Sequence, residues 1–195
     1  MSTLTRLSLT KETIVDFIAD IFRRRGAESY LGEQVSMSEH MLQAAAAAAA
    51  EDAGDVLIAA TLLHDIGHYT GEFPEVALAR GQNNFHETAG AAVLAPFFPP
   101  AVTEPIRLHV AAKRYLCASD PAYLARLSPA SVHTLNLQGG SMSEAEAAAF
   151  RQTPYVDEAV RVRQWDDAGK VAGLGVPPFE HYLPLLRRIV ERQEF

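Results

Sequence analysis

Residues 61–69 read TLLHDIGHY, so an apolar run ends in three titratable side chains, His64, Asp65 and His68. Burying such groups at the end of a hydrophobic helix is costly unless something compensates, and a metal ion is the compensation that imidazole and carboxylate share. Further histidines stand at His40, His86 and His109, each in a segment of helical pattern, and a late acidic pair, Asp166–Asp167, follows Trp165. Imidazole and carboxylate ligands on several facing helices are how bundle cores hold two metals. Neighbouring side chains on a helix point about 100° apart, so one metal could take His64 while Asp65 reaches across to share itself with a second. His133 and His181 fit no such pattern and read as structural.

The elements that must position these residues are helices. Thr10 can cap a helix whose apolar positions Ile14, Phe17, Ile18 and Ile21 recur at helical spacing, with Gly26 at its end. SMSEHMLQAAAAAAAEDAG is a second helix, with Ser36 or Ser38 as cap and alanines of high helix propensity. DVLIAATLLHDIGHY is a third, with Gly67 tolerated near its end, and the Gly/Pro/Asn-containing loop GEFPEVALARGQNN follows. NFHETAGAAVLAPFF is a fourth, stopped by Pro99–Pro100, and VTEPIRLHVAAKRYL a fifth, with Pro105 placed in its first turn. PAYLARLS, SPASVHTLNLQ and SEAEAAAFRQ are shorter helices, and PYVDEAVRVRQWDDAGK and FEHYLPLLRRIVERQ complete the chain. With no run of alternating strands, no repeat and no convincing linker, residues 1–195 read as one all-α domain, a helical bundle with a dimetal site in its core.

Composition excludes several classes of function. The 195 residues suffice for one domain with a sizeable core, and 48% of them are apolar. Acidic residues outnumber basic ones, 24 to 17, and no Lys/Arg run stands out, which argues against wrapping nucleic acid. The single cysteine, Cys117, rules out a disulfide framework and a thiolate zinc cluster, and reads as a small residue just after the KRYL segment, not a nucleophile. The N-terminus lacks the apolar stretch of a signal peptide, and the alanine run at 44–50 is too short to span a membrane. A cytoplasmic protein with no obligate protein partner is the expectation.

The order H…HD…H…H…D, on helices, resembles the HD-domain superfamily, whose name comes from the pair at His64–Asp65. Further stretches narrow the resemblance: ESYLGEQVSMSEH with Tyr30 and Glu33 ahead of His40, HVAAKRYL with Lys113 one turn after His109, SPASVHTLNLQGGSM, and RVRQWDDAGK. Together they closely resemble the small HD-domain oxygenases that cleave 1-hydroxy-2-aminoethylphosphonates, the PhnZ and TmpB type. The Tyr-x-x-Glu element discriminates most, since hydrolytic HD proteins generally lack it.

That resemblance implies a mixed-valent Fe(II)/Fe(III) pair, with molecular oxygen as co-substrate. It implies one iron held by His40, His64, Asp65 and Asp166 and the other by Asp65, His86 and His109, with Asp65 bridging. Asp166 is preferred because it directly follows the RQW segment, although spacing alone would allow Asp167. Ligands of imidazole and carboxylate without thiolate suit iron or manganese, and would also bind zinc or nickel. Lys113 and Arg163 are the expected cations for phosphonate oxygens, with Ser131 and Thr134 as neutral donors and His68 as a further substrate contact. Arg163 lies three residues before Asp166 and Lys113 four after His109, spacings that share a helix face. Glu33 is the anion for the substrate's ammonium. In the resemblance-based reading, Tyr30 ligates the first iron while the site is empty and leaves when the ammonium draws Glu33 away.

The expected reaction is oxygen-dependent cleavage of the carbon–phosphorus bond of (R)-1-hydroxy-2-(trimethylammonio)ethylphosphonate to glycine betaine and phosphate. Tyr30, Tyr69 and Phe85 could line a wall for the quaternary ammonium, and the loop ARGQNNFHE differs from that expected for the primary-amine enzymes. The alternatives are the same reaction on 2-amino-1-hydroxyethylphosphonate, giving glycine, or a metal-dependent HD phosphohydrolase.

Overall fold

The computed structural model describes residues 9–30, 32–72 and 85–192. The loop expected over 71–84 therefore lies almost entirely outside the described residues, and with it the ARGQNN stretch that bears on the substrate amine; so does most of the stretch ahead of Thr10. Among the described residues the helices are α1 (Ile14–Arg25), α2 (Met37–Ala50), α3 (Gly54–Leu63), α4 (His86–Leu94), α5 (Pro100–Ser119), α6 (Pro121–Arg126), α7 (Pro129–Leu137), α8 (Glu144–Phe150), α9 (Val156–Ala168) and α10 (Leu183–Arg192). Short 3-10 segments cover Ile66–Glu72 and Phe179–Tyr182, and no strand is formed among the described residues beyond one isolated bridge between Ser29 and Ser36.

Local chemistry sets most of these boundaries. Ser36, not Ser38, caps α2: its hydroxyl accepts from the Glu39 N–H, and the Glu39 carboxylate accepts from the Ser36 N–H. Ser143 and Glu146 repeat the device at α8. Pro100, Pro121 and Pro129 each open a helix, where their missing N–H would have no partner. Because α5 starts at Pro100, Pro105 falls in its second turn and not, as the sequence pattern suggests, in its first. The chain turns at Thr10, whose carbonyl accepts from the N–H of Ile14, but the helix proper begins at Ile14 with Thr13 before it.

The core gathers α1, α2, α3, α4 and α10 around Ile14, Ile18, Met41, Leu62, Leu63, Ile66, Leu94, Ile106 and Leu186, all shielded from solvent. The central helix α5 packs on α3, α4 and α9, and α2 packs on α3 and α9. The alanines of α2 contribute more than propensity. Ala44, Ala45 and Ala48 are fully buried, and at Gly169 a Cβ would stand only 2.7 Å from the His40 carbonyl. Small residues on both sides thus bring α2 and the end of α9 within backbone reach of each other.

The third helix departs most from its sequence pattern. It ends at Leu63, with His64 as C-cap, and the chain tightens into the 3-10 segment, the His68 N–H bonding to the Asp65 carbonyl. Gly67 is required there, not merely tolerated: a Cβ would lie 1.8 Å from the His86 carbonyl oxygen. Gly90 meets it from the other side, its own Cβ position 3.0 Å from the Gly67 nitrogen, so the turn carrying His64, Asp65 and His68 sits directly against the first turn of α4.

Candidate metal centre

His40 of α2, His64 at the end of α3, Asp65, His86 of α4, His109 of α5 and Asp166 of α9 come together in the interior, all but His86 at most 1% exposed. The orientation of three imidazoles is fixed from behind. Nδ1 of His40 lies 2.9 Å from the Gly169 carbonyl, Nδ1 of His64 2.7 Å from that of Thr61, and Nδ1 of His109 2.7 Å from that of Ile106. A carbonyl oxygen only accepts, so each Nδ1 carries the proton and each Nε2 turns a lone pair inward. The His40 and His64 Nε2 atoms then face each other at 3.1 Å, and those of His86 and His109 at 3.2 Å.

The carboxylates complete two groups. Asp65 Oδ2 is 3.5 Å from both His40 Nε2 and His64 Nε2, while its Oδ1 is 3.2 Å from His86 Nε2 and 3.7 Å from His109 Nε2. Asp166 Oδ1 adds to the first group, 3.4 Å from His40 Nε2, and its Oδ2 is held at 2.6 Å by the Arg163 guanidinium. Asp65 Oδ2 and Asp166 Oδ1 are buried with no hydrogen-bond donor of their own. Facing lone pairs and orphaned carboxylate oxygens at one centre are unstable unless a cation sits among them, so the donor set fits metal ions. Asp65 with His40 and His64, and Asp65 with His68 and His86, each bring ligand atoms within 4.8 Å of one another.

Protonation follows the same logic. Burial would raise the Asp65 pKa, but the surrounding imidazoles of His64, His40 and His86 outweigh it and hold the carboxyl well below its usual range. Burial likewise opposes ionisation of Asp166, and Arg163 and Lys170 overcome it. Burial lowers the pKa of His64, and burial with the neighbouring His86 and His64 lowers that of His109. Neutral His64 and His109 beside ionised Asp65 and Asp166 are in the form that binds a cation, whereas at His86 burial is outweighed by the Asp65 and Glu87 carboxylates, which raise its pKa. Tyr30 stacks on His40 at 3.9 Å, and burial together with the charges of Asp65 and Asp166 keeps its phenol protonated.

A second ring of side chains closes over the cluster. An inner cavity of about 30 Å³ is lined by Tyr30, His68, Lys113, Ser131, Thr134, Gln138, Arg163 and Lys170 with Asp65, His86, His109 and Asp166 of the cluster. That is room for about one water, so a larger ligand enters only when side chains move. Lys113 donates to Thr134 at 2.9 Å, and burial with the nearby Arg163 brings its pKa down to about 8. Glu33 accepts from the Ser128 hydroxyl at 2.5 Å beside a small recess lined by Tyr30, Ser131 and Lys170. His68 stacks on His86 at 4.3 Å with its Nε2 unpartnered, 3.9 Å from Asp65 Oδ1. An outer cavity of about 540 Å³, bordered by Phe85, Glu87, Arg107 and Leu137, adjoins this ring at His68, His86 and Thr134.

The structure separates the two residues that spacing left open. Asp166 faces the imidazoles, whereas Asp167 points behind them, accepting from the Tyr123 hydroxyl at 2.5 Å and from both Arg163 and Lys170. Arg163 lines the inner cavity and in addition donates to Asp166, Asp167 and Tyr123, which makes it also a holder of the α9 carboxylates. Tyr69 differs from its expected use, since its hydroxyl bonds to the Arg25 carbonyl and its ring carries the Arg25 guanidinium, so it braces α1. His133 and His181 are exposed and lie outside the cluster, although His133 borders the outer cavity.

Sequence reasoning passed over Lys170, Gln138 and Glu87. Lys170 donates to Ser131 at 2.9 Å and approaches Asp166 Oδ1 to 3.7 Å. It follows Asp166 by four residues, the same spacing that pointed to Lys113, so its signal was present. Among the described residues no helix is long and apolar enough to cross a membrane.

A family signature described as HD domain matches residues 37–130. The chain is 47% identical over 184 residues, 94% of each protein, to a 1-hydroxy-2-(trimethylamino)ethylphosphonate dioxygenase (glycine-betaine-forming) of Leisingera caerulea. It is 46% identical over 177 residues to a hydroxymethylphosphonate dioxygenase of Gimesia maris, covering 90% of this chain and 88% of that one. An uncharacterized protein of Acanthamoeba polyphaga mimivirus is 31% identical over 175 residues, covering 88% and 80%.

Proposed function

Since the chain belongs to the HD-domain phosphonate dioxygenases, we propose that it oxidatively cleaves the carbon–phosphorus bond of (R)-1-hydroxy-2-(trimethylammonio)ethylphosphonate, releasing glycine betaine and phosphate. The whole chain, 1–195, is read as one HD domain acting on a small molecule in the cytoplasm. The observation that carries the reading is the division of Asp65, one oxygen toward His40 and His64 and the other toward His86 and His109.

In this reading His40, His64, Asp65 and Asp166 would hold one iron, and Asp65, His86 and His109 the other. The pair, in a ferrous/ferric state, would supply the activation of oxygen that side chains cannot provide. The balance needs no external reductant. Dioxygen gives one oxygen atom to the carboxylate and one to phosphate, and the hydroxyl-bearing carbon supplies all four electrons as its C–H and C–P bonds break.

The chain's own residues bind and orient. Lys113 and Lys170, with Ser131 and Thr134, surround the phosphonate, while Arg163 keeps Asp166 ionised and aimed inward. Glu33 receives the trimethylammonium, exchanging its bond from Ser128 for the substrate's charge. Because Tyr30 lies only three residues away on the same loop and stacks on His40, movement of Glu33 is transmitted to the first subsite. Glu33 favours a substrate with a cationic tail over hydroxymethylphosphonate, which has none.

The test is one assay. Purified, iron-loaded protein is incubated with and without oxygen on three substrates: the trimethylammonio, primary-amino and hydroxymethyl phosphonates. Release of phosphate is scored with glycine betaine, glycine or formate. Oxygen-dependent turnover that is fastest on the trimethylated compound supports the reading. Equal release without oxygen indicates a hydrolase and overturns it, and preference for hydroxymethylphosphonate removes Glu33 from substrate choice.

A further inference from the structure

Three of the four converging imidazoles have a backbone carbonyl behind them. His86 does not. It is the first residue of α4, and Oε2 of the Glu87 carboxylate lies 3.5 Å from its Nδ1, near but not in hydrogen-bond geometry. Glu87 is 8% exposed, and this oxygen has no hydrogen-bond donor. A buried carboxylate oxygen left over at a helix start is unfavourable and needs a reason. Without an acceptor at Nδ1, His86 would favour the tautomer with its proton on Nε2. That proton would point at Asp65 Oδ1, 3.2 Å away, where a metal ligand must present a lone pair.

Resting on the two-metal reading above, we infer that Glu87 is a positioning residue for His86: it draws the imidazole proton to Nδ1 and turns the Nε2 lone pair toward the second subsite. The carbonyls behind His40, His64 and His109 do the same with a neutral dipole. Glu87 does it with a carboxylate, which strengthens His86 as a donor and stands behind an imidazole of the His86–His109 subsite. The two subsites therefore differ in what stands behind their imidazoles, carbonyls at His40 and His64, a carbonyl and a carboxylate at His109 and His86. The side chain serves the second ion, whereas at the first the Nδ1 atoms of His40 and His64 face carbonyls.

The test uses full-length wild-type, E87A and E87Q proteins freed of metal. Each is titrated anaerobically with Fe(II) against a chromophoric chelator, and unfolding of the metal-free form is followed by circular dichroism. The second equivalent binds about 10–100-fold more weakly to E87A, as is usual when a partner behind a metal-bound histidine is lost, and the first equivalent binds as in wild type. Metal-free E87A is at least as stable as wild type, since an unpartnered buried carboxylate has been removed. E87Q, which keeps an acceptor oxygen without the charge, retains more of the affinity than E87A. Equal second-equivalent affinity in wild type and E87A overturns the inference, as does identical behaviour of E87A and E87Q. Weakening of both equivalents together with a less stable metal-free protein makes Glu87 structural and also overturns it. A wild-type protein that takes up only one equivalent contradicts the two-metal reading instead.

Discussion

Replacing Gly67 by alanine tests how the fold sets the separation of the two subsites. The new Cβ would lie 1.8 Å from the His86 carbonyl oxygen, where ordinary contact begins near 3.4 Å, so the two segments must part by about 1.6 Å. Both neighbours of that carbon are backbone, the His86 carbonyl and the Gly90 N–H at 2.9 Å, and no flexible side chain can yield. A rigid shift of the first turn of α4 carries His86 with it. Metal sites tolerate errors of roughly 0.2 Å in ligand distance, so a shift several times larger removes His86 as a ligand. The cost in stability, by analogy with overpacked cores, is about 1–3 kcal/mol, or roughly 3–10 °C in Tm for a chain of this size. Turnover falls by about 100-fold or more, the usual consequence of a misplacement near 1 Å. The assay combines iron content, Tm and phosphate release. G67A is expected to keep one iron, at His40, His64, Asp65 and Asp166, and to lose the other. G71A is the control, because a Cβ at Gly71 meets nothing within 4 Å. Two irons and full turnover in G67A, or equal damage in G71A, would refute the argument.

Three further outcomes follow from the site. With Lys113 at about 8, below the usual lysine value, its charge is present at lower pH and lost as pH rises through that value. The substrate kcat/KM of wild type therefore falls above pH 8, and in K113R, charged throughout, that fall is absent; the same fall in both would remove Lys113 from phosphonate binding. D166N is expected to abolish tight binding of one iron, whereas D167N, which acts through Arg163 and Tyr123, weakens it by about 10-fold; equal effects would undo their separation. In E33Q, turnover of the trimethylated phosphonate drops while that of hydroxymethylphosphonate is unchanged, and loss of both would make Glu33 a structural residue of its loop.

The cluster was legible because its chemistry limits the residue types. Histidine and aspartate at helical spacing on otherwise apolar segments have few other uses, and His40, His64, Asp65, His86 and His109 do converge. What the pattern could not supply is tertiary. Asp166 and Asp167 are adjacent, and only the packing of α9 on α2 and α5 decides which one faces inward. Arg163 has the spacing of a substrate contact, and its further bonds to Tyr123 and Asp167, 40 and 4 residues away in sequence, come from tertiary packing that the spacing does not report. Gly67 reads as a tolerated helix residue because its constraint comes from α4, some twenty residues later. The shift from α-helix to 3-10 turn at His64 is invisible for the same reason: periodicity reports the apolar face, not the backbone that meets it.

Two metal ions sharing Asp65 are the core of the proposed centre. Crystals of the iron-loaded protein, measured on both sides of the iron absorption edge, test this directly. The prediction is two anomalous peaks flanking the Asp65 carboxylate, one toward His40, His64 and Asp166, the other toward His86 and His109. A single peak, or a second one away from His86 and His109, would contradict it.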